Sequence, residues 1–338
     1  MLFRSLIGYG DGGVVGFTGD GEVFGVDLEN HRAGLADEQF YRRQQPLGCG
    51  RGGVAGGAHS DEQYGTGRPY RRVLLRTVYF LLFSAEHRDF VAASGSAMRL
   101  PILTYHNIGD APDGAALAKL YVSAPAFERQ CRMLRRLGLR GVSIGEALSG
   151  LREGRRGLVA LTFDDGYLDN FTTALPILRD YGFTATCYVV AGRIGEYNVW
   201  DAGKLNIRKP LMTAAQLRMW RAAGNEIGSH TLTHPNLTEL EAETLQRELV
   251  ASKAALENSV GAQIKHFCYP YGEESPQVRR AVAAAGYESA TSTRRGLART
   301  SDDPYALPRI SINGGKGLLR FALKVATPYA AFGGSAAA

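Results

Sequence analysis

From residue 98 onward, short apolar runs alternate with stretches of helical period. Residues 101–105 predict a strand, 127–137 an amphipathic helix and 143–151 a shorter one. Residues 158–163 are a continuous apolar run, the pattern of a strand buried on both faces. A helix over 174–181 stopped by Gly182 follows, then a strand over 184–190. Thr213 reads as the N-cap of a helix running through Ala223, with Gly224 as its stop, and 225–229 as the next strand. Residues 240–259 form a long helical pattern, 264–269 a strand, and 275–285 a helix opened by Pro276 and closed by Gly286. Repeated strand-then-helix order predicts an α/β fold with a parallel sheet, most economically a barrel.

Residues 1–97 differ. They hold 18 of the 42 glycines, ten arginines and no lysine, and their apolar fragments are cut by Gly-Gly pairs. Such a segment recovers little of its ordering entropy by burial, so 1–97 is expected to be a poorly structured extension or a mis-assigned upstream translation start, the alternative being a small folded N-terminal domain, and 98–338 the main folded domain. The apolar run at 73–83 is too short to span a bilayer and lies too far into the chain for a signal peptide. With no convincing signal the expected location is cytoplasmic, an extracytoplasmic one being the alternative. The apolar tail at 318–332 fits core packing better than a membrane surface. Four cysteines in 338 residues exclude a disulfide scaffold, and no run of 18 uncharged apolar residues predicts a transmembrane segment. The net charge of +6 comes mainly from scattered arginine and does not call for nucleic acid. Oligomeric state is not legible.

Leu161-Thr162-Phe163-Asp164-Asp165-Gly166-Tyr167 places two carboxylates where an apolar strand ends, the end that faces the functional mouth of parallel α/β folds. Neighbouring strand side chains point opposite ways, so both acids serve one site only if a turn begins here, and Gly166 supplies that freedom. Like charges this close need a cation or a shared proton; the plainer alternative is a helix N-cap followed by a solvated acid. Ser229-His230-Thr231-Leu232-Thr233-His234-Pro235 also follows a strand. The two histidines share a face if the segment makes a helical turn, and with one carboxylate they form a three-ligand set with open positions for water. Zinc is favoured, though other divalent ions suit the same donors. Thr231 stands where a zinc-protease helix would carry its glutamate, so that class is a weaker explanation.

His266-Phe267-Cys268-Tyr269-Pro270-Tyr271-Gly272 ends another strand in a turn whose N–H groups can receive an oxyanion, or which merely joins strand to helix. Cys268 reads as a small core hydrophobe rather than a nucleophile, and His266 as structural. His106 ends the first orderly strand, as a terminus or as a general acid. Arg309 lies in a late apolar strand and needs an anionic partner, for which Asp164 is the candidate. Trp200, Tyr197, Tyr167 and Tyr271 offer sugar-stacking faces or ordinary packing.

Taken in order, these segments resemble the polysaccharide deacetylase family, the NodB-homology or carbohydrate esterase family 4 domain, over about residues 100–312. The resemblance rests on Thr162-Phe163-Asp164-Asp165-Gly166-Tyr167, the His230/His234 segment and Tyr269-Pro270-Tyr271-Gly272. It implies a distorted (β/α) barrel with a metal-dependent site at the strand ends that removes acetyl groups, usually from N-acetylated sugars in polymers. Carried over by residue, it makes Asp165, His230 and His234 metal ligands, Asp164 the general base and the Tyr271 N–H an oxyanion donor. Two departures stand out. Cys268 occupies the position where many members carry an arginine, and no histidine follows His266 to supply the usual late acid. The chain is similar to the exopolysaccharide poly-N-acetylglucosamine deacetylase branch, which implies His106 as the acid, with Arg309 replacing the missing arginine.

The expected function is therefore metal-dependent N-deacetylation of an N-acetylated glycan. The competing readings are an O-acetyl esterase on a xylan-type glycan and, from another class, a catalytically inactive carbohydrate-binding domain.

Overall fold

The strand Leu158–Phe163 (β3 below) sets the architecture, because its two faces are buried against different things. Val159, Leu161 and Phe163 belong to the larger hydrophobic cluster, while Ala160 joins a smaller one. On the Ala160 face come next Thr162 and Asp164, so one side of the strand runs from apolar to charged towards its C-terminal end.

The computed structural model describes residues 98–326 apart from 116, 202–206 and 316, together with four short strands between residues 6 and 35. In the larger unit the strands of the main sheet are β1 (Ile102–Tyr105), β2 (Arg140–Val142), β3 (Leu158–Phe163), β4 (Thr186–Val189), β5 (Glu226–Ser229), β6 (His266–Cys268), β7 (Ser289–Arg295) and β8 (Leu307–Ser311). All pair in parallel, in the order β4-β5-β6-β7-β8-β1-β3, and β3 pairs again with β4 to close the circle. The closure is uneven: the first half of β3 pairs with β2 and only Thr162 and Phe163 reach β4. This is the distorted seven-stranded (β/α) barrel that the alternating pattern implies.

Helices α1 (Ala124–Arg136), α2 (Ile144–Arg152), α3 (Leu175–Tyr181), α4 (Ala214–Ala222), α5 (Ala242–Val260), α6 (Pro276–Ala284) and α7 (Leu318–Ala326) accompany the strands. Their boundaries follow local chemistry. The Ser143 side chain accepts the Glu146 N–H at the start of α2, Thr213 and Gln216 form a capping box for α4, and α3 and α5 end at Gly182 and Gly261 with positive φ. α2 closes the floor of the barrel: the N–H groups of Ser143, Ile144 and Gly145 donate to Thr184 Oγ1, Thr186 Oγ1 and Glu226 Oε2 at 3.1, 2.8 and 3.0 Å.

In α7, Phe321, Ala322 and Val325 are buried, which places the described part of the apolar tail in core packing; residues 327–338 lie outside the described residues. Among the described residues no helix is long and apolar enough to cross a membrane. In the N-terminal unit, Leu6–Tyr9, Gly13–Phe17, Val23–Asp27 and Arg32–Leu35 pair as an antiparallel meander. The other residues of 1–97, over which the extension or upstream start is expected, lie outside the described residues.

Candidate metal and catalytic site

The C-terminal ends of β3, β5 and β6 bring the sequence-predicted acids and imidazoles together, and the backbone is contorted to do it. Asp165, Thr231, His234 and Tyr271 have φ of 76°, 67°, 67° and 59° and are the non-glycine residues with positive φ among the described residues. Such conformations store about 1–3 kcal/mol each and persist where surroundings over-determine them. The turn at Asp165 and Gly166, both left-handed, lets two consecutive acids serve one cleft. His230 and His234 meet without the helical turn that their spacing suggests. Left-handed Thr231 and His234 bend the loop, and Thr231 Oγ1 accepts the His234 N–H at 2.9 Å.

His230 Nε2 and His234 Nε2 each lie 3.4 Å from Asp165 Oδ1. That separation is long for an N–H···O bond. It matches two ligands each about 2.0–2.1 Å from one tetrahedral ion, which stand about 3.4 Å apart. His230 Nδ1 faces the Cys268 carbonyl at 2.8 Å, an acceptor that fixes the tautomer leaving Nε2 free to ligate. The donor set therefore fits a divalent cation. Asp164, His230 and Cys268 also cluster, but both Asp164 oxygens are occupied, so this second grouping does not offer three ligands.

The occupant is Arg309. Its NH1 and NH2 donate to Asp164 Oδ1 and Oδ2, both at 2.8 Å, while Nε donates to the Ser292 carbonyl at 2.9 Å. NH2 also lies 3.2 Å from Cys268 Sγ, so the small side chain at 268 borders the space that the guanidinium fills. Burial pushes the Asp164 carboxyl up, and Arg309 more than reverses this, leaving it below its ordinary value. Burial pushes the Asp165 carboxyl up, and the His230 and His234 imidazoles facing it more than reverse this, leaving it well below its ordinary value. Burial pushes His234 down, towards the neutral form that ligates. Burial acts the same way on His230, but Cys268 and Asp165 lift it well above its ordinary value, so a proton and a cation compete for Nε2.

His106 stands across the cleft with Nε2 4.0 Å from Asp164 Oδ2, its side chain a quarter exposed. Tyr271 is half exposed, its ring edge against His234 at 4.8 Å, and Trp200 stacks on His234 at 4.6 Å. Among the aromatic candidates, Tyr167 takes the packing role: it is buried, with its hydroxyl 3.3 Å from Asp201, so its ring has no face for a sugar. One face of Tyr197 is covered by the Arg208 guanidinium at 3.8 Å. His266 is far from this constellation in role, bonded to Ser289 Oγ at 2.9 Å at the start of β6.

Three residues escape the sequence reading. Glu248 accepts the N–H groups of Leu232 and Thr233, both at 2.9 Å, and the Thr233 hydroxyl at 2.6 Å, pinning the loop that carries both imidazoles. The available signal was a charge inside the Leu245, Leu249, Ser252, Leu256 stripe of α5. Asp169 and Asn170, just past the acid pair, hold the backbone around His106.

The polysaccharide deacetylase family model matches residues 152–290. The Bacillus subtilis (strain 168) protein YxkH, a polysaccharide deacetylase by name, is 30% identical over 220 residues, 64% of this chain and 72% of that protein. The poly-beta-1,6-N-acetyl-D-glucosamine N-deacetylase of Staphylococcus aureus (strain MRSA252) is 24% identical over 197 residues, 57% of this chain and 68% of the relative. The solved structure of Streptococcus pyogenes deacetylase PplD in complex with acetate superposes with a TM-score of 0.60 at 25% identity, covering 69% of this chain and all of the other. With that kinship covering the strands and loops that assemble the acids and imidazoles, the chain belongs to the polysaccharide deacetylase family.

Proposed function

We propose that the protein is a divalent-metal-dependent N-deacetylase acting on amino-sugar residues of a polysaccharide or oligosaccharide. The observation that carries the reading is the convergence of His230 and His234 on one oxygen of Asp165, beside an Asp164 that is committed to Arg309. The name of the Staphylococcus aureus relative supports an N-acetylated glycan as substrate. The reading assigns the ion to Asp165, His230 and His234, with zinc as the first candidate; when bound it supplies Lewis-acid polarisation and an acidified water.

Arg309 orients Asp164 and keeps it ionised, so the carboxylate accepts a proton as water adds to the acetyl carbonyl carbon. His106 Nε2 stands 4.0 Å from Asp164 Oδ2, so acid and base are neighbours at one side of the cleft and can address the same substrate amide. As the C–N bond breaks, His106 donates a proton to the departing amine, and acetate and a free amino sugar result. The turn at Tyr271 offers its backbone N–H to the developing oxyanion. The stacked Trp200 and the edge-on Tyr271 limit the freedom of His234 and wall one side of the cleft.

The test is acetate release from defined N-acetylated oligosaccharides and from acetyl xylan, before and after chelator treatment and with metal restored. Release from the N-acetylated substrate that disappears with chelator and returns with zinc or another divalent ion is the expected result. Preferential release from acetyl xylan would establish the O-esterase, and glycan binding without release in metal-replete protein would establish the binding domain. Activity undiminished after complete metal removal sinks the proposal.

A further inference from the structure

We propose that Asn170, assisted by Asp169, is a positioning residue that sets His106 in register with Asp164. The inference rests on the reading of His106 as general acid. His106 sits between β1 and the short strand Asn107–Ile108, with its side chain partly in solvent. The backbone on both sides of it is gripped. Asn170 Nδ2 donates to the His106 carbonyl at 2.8 Å, and Asp169 Oδ1 accepts the Ile108 N–H at 3.2 Å. The two grips are themselves joined, since Asn170 Nδ2 also lies 3.0 Å from Asp169 Oδ1, and Lys209 Nζ holds the other Asp169 oxygen at 2.6 Å.

The orientation of the Asn170 amide is dictated by its surroundings. Both groups facing Nδ2, a carbonyl and a carboxylate oxygen, can only accept, while Oδ1 faces the Cys187 thiol at 3.8 Å. Asn170 is fully buried, and a buried amide aimed at one backbone carbonyl is a fixed strut rather than a solvated side chain. The local backbone supports this placement: residues Asn170–Ala174 form a π-turn in which the Leu175 N–H bonds back to the Asn170 carbonyl, before α3 begins. A π-turn adds a residue to the helical register and is frequent at functional sites.

The consequence is that one segment fixes three things. Asp164 and Asp165 lie at its start and the grip on His106 five residues later, so the base, a ligand and the acid share one frame. Loss of the strut should release the His106 backbone while the Asp165, His230 and His234 cluster keeps its own supports.

The experiment compares Asn170→Ala, His106→Ala and the double variant on an N-acetylated oligosaccharide and on 4-nitrophenyl acetate, whose phenolate departs without needing a proton. Asn170→Ala should lower kcat on the amide by about 10- to 100-fold with KM and metal content nearly unchanged. Its rate on the aryl ester should stay within about twofold, and in the His106→Ala background it should add less than about twofold. Asp169→Ala, at a less buried position, should show the same pattern at smaller size and serves if the first variant fails to fold. Equal losses on both substrates, or losses that multiply with His106→Ala, overturn the positioning role. Wild-type protein that releases no acetate from the amide defeats the underlying reading instead, a result separate from the pattern among variants.

Discussion

At the mouth of the barrel, His230 Nε2 and His234 Nε2 each stand 3.4 Å from Asp165 Oδ1; at the floor, His266 Nε2 stands 3.4 Å from Glu226 Oε1. The distances agree and the surroundings do not. At the floor, Glu226 Oε2 accepts the Gly145 N–H and the Thr186 hydroxyl, and His266 Nδ1 meets Ser289 Oγ. The carboxylate sits at the N-terminus of α2, where the helix favours negative charge, and the pair is a closed structural tie. At the mouth two imidazoles address one oxygen, and the loops that present them hold left-handed non-glycine residues, whereas the left-handed residues at the floor are glycines among the described residues. An imidazole beside a carboxylate is therefore weak evidence of a site. A second imidazole on the same oxygen, on strained backbone, beside a separately committed acid, is what distinguishes one end from the other.

The largest effect should come from removing the shared oxygen. Asp165→Ala should abolish bound metal and lower acetate release by at least about a thousandfold, because both ligation and the activation of water depend on it. Metal content by mass spectrometry and acetate release on the same preparation check this. Retained metal with lost activity would show that the imidazoles hold the ion without Asp165. Next in size is His106→Ala, expected to lower kcat by about 10²–10⁴-fold with metal unchanged, the usual worth of a general acid. Turnover close to wild type removes His106 from the reaction.

Arg309→Leu sharpens the contrast differently, since it leaves the metal cluster intact and strips Asp164 of its partner. Arg309 and Asp164 are both buried, so breaking the pair should destabilise the fold by about 3–5 kcal/mol. Arg309 holds the Asp164 carboxyl below its ordinary value, so in the wild-type protein the pair's stabilisation is present above about pH 4 and is lost as pH falls through the depressed value. In the variant that contribution is gone and burial, opposed only by His106 and His230, raises the carboxyl relative to the wild type. The acid limb of the activity profile should then move to higher pH. Thermal melts and pH–rate profiles read both effects, and Arg309→Lys, which keeps a charge but loses the two-pronged contact, should fall between. An acid limb that stays in place separates Arg309 from the base.

The same contrast explains what the sequence disclosed. The apolar run of β3, the Asp-Asp-Gly turn after it and the His230/His234 spacing are local patterns, and the barrel and its principal cluster follow from them. β7 was hidden because Ser289-Ala290-Thr291-Ser292-Thr293-Arg294-Arg295 is polar although its first four residues are buried. Its polar atoms are used inside the barrel, as where the Ser292 carbonyl accepts Arg309. β2 spans only three residues, one of them glycine, too few to show a period. Glu248 reaches the histidine loop from α5 through three hydrogen bonds, and Asn170 reaches the His106 carbonyl through one; neither kind of contact leaves a periodic trace.

The smallest expected effect is at the floor. Glu226→Gln should leave metal content and acetate release unchanged, because the hydrogen bonds and ion pair of the Glu226 carboxylate go to the start of α2, β4 and His266. Stability should fall by about 1 kcal/mol, since the amide keeps one acceptor and loses the charge opposite the helix terminus. Burial lowers the His266 imidazole and Glu226 opposes that lowering. A histidine held below its ordinary value binds fewer protons folded than unfolded, so stability is full above about pH 6.5 and declines as pH falls below it. Removing Glu226 deepens the lowering and should steepen the decline, seen as a larger drop in melting temperature between pH 7 and pH 5 with activity at pH 7 intact. A matching loss of acetate release at pH 7 would mean that the floor tie reaches the mouth through β5 and β6, and that the two ends are coupled.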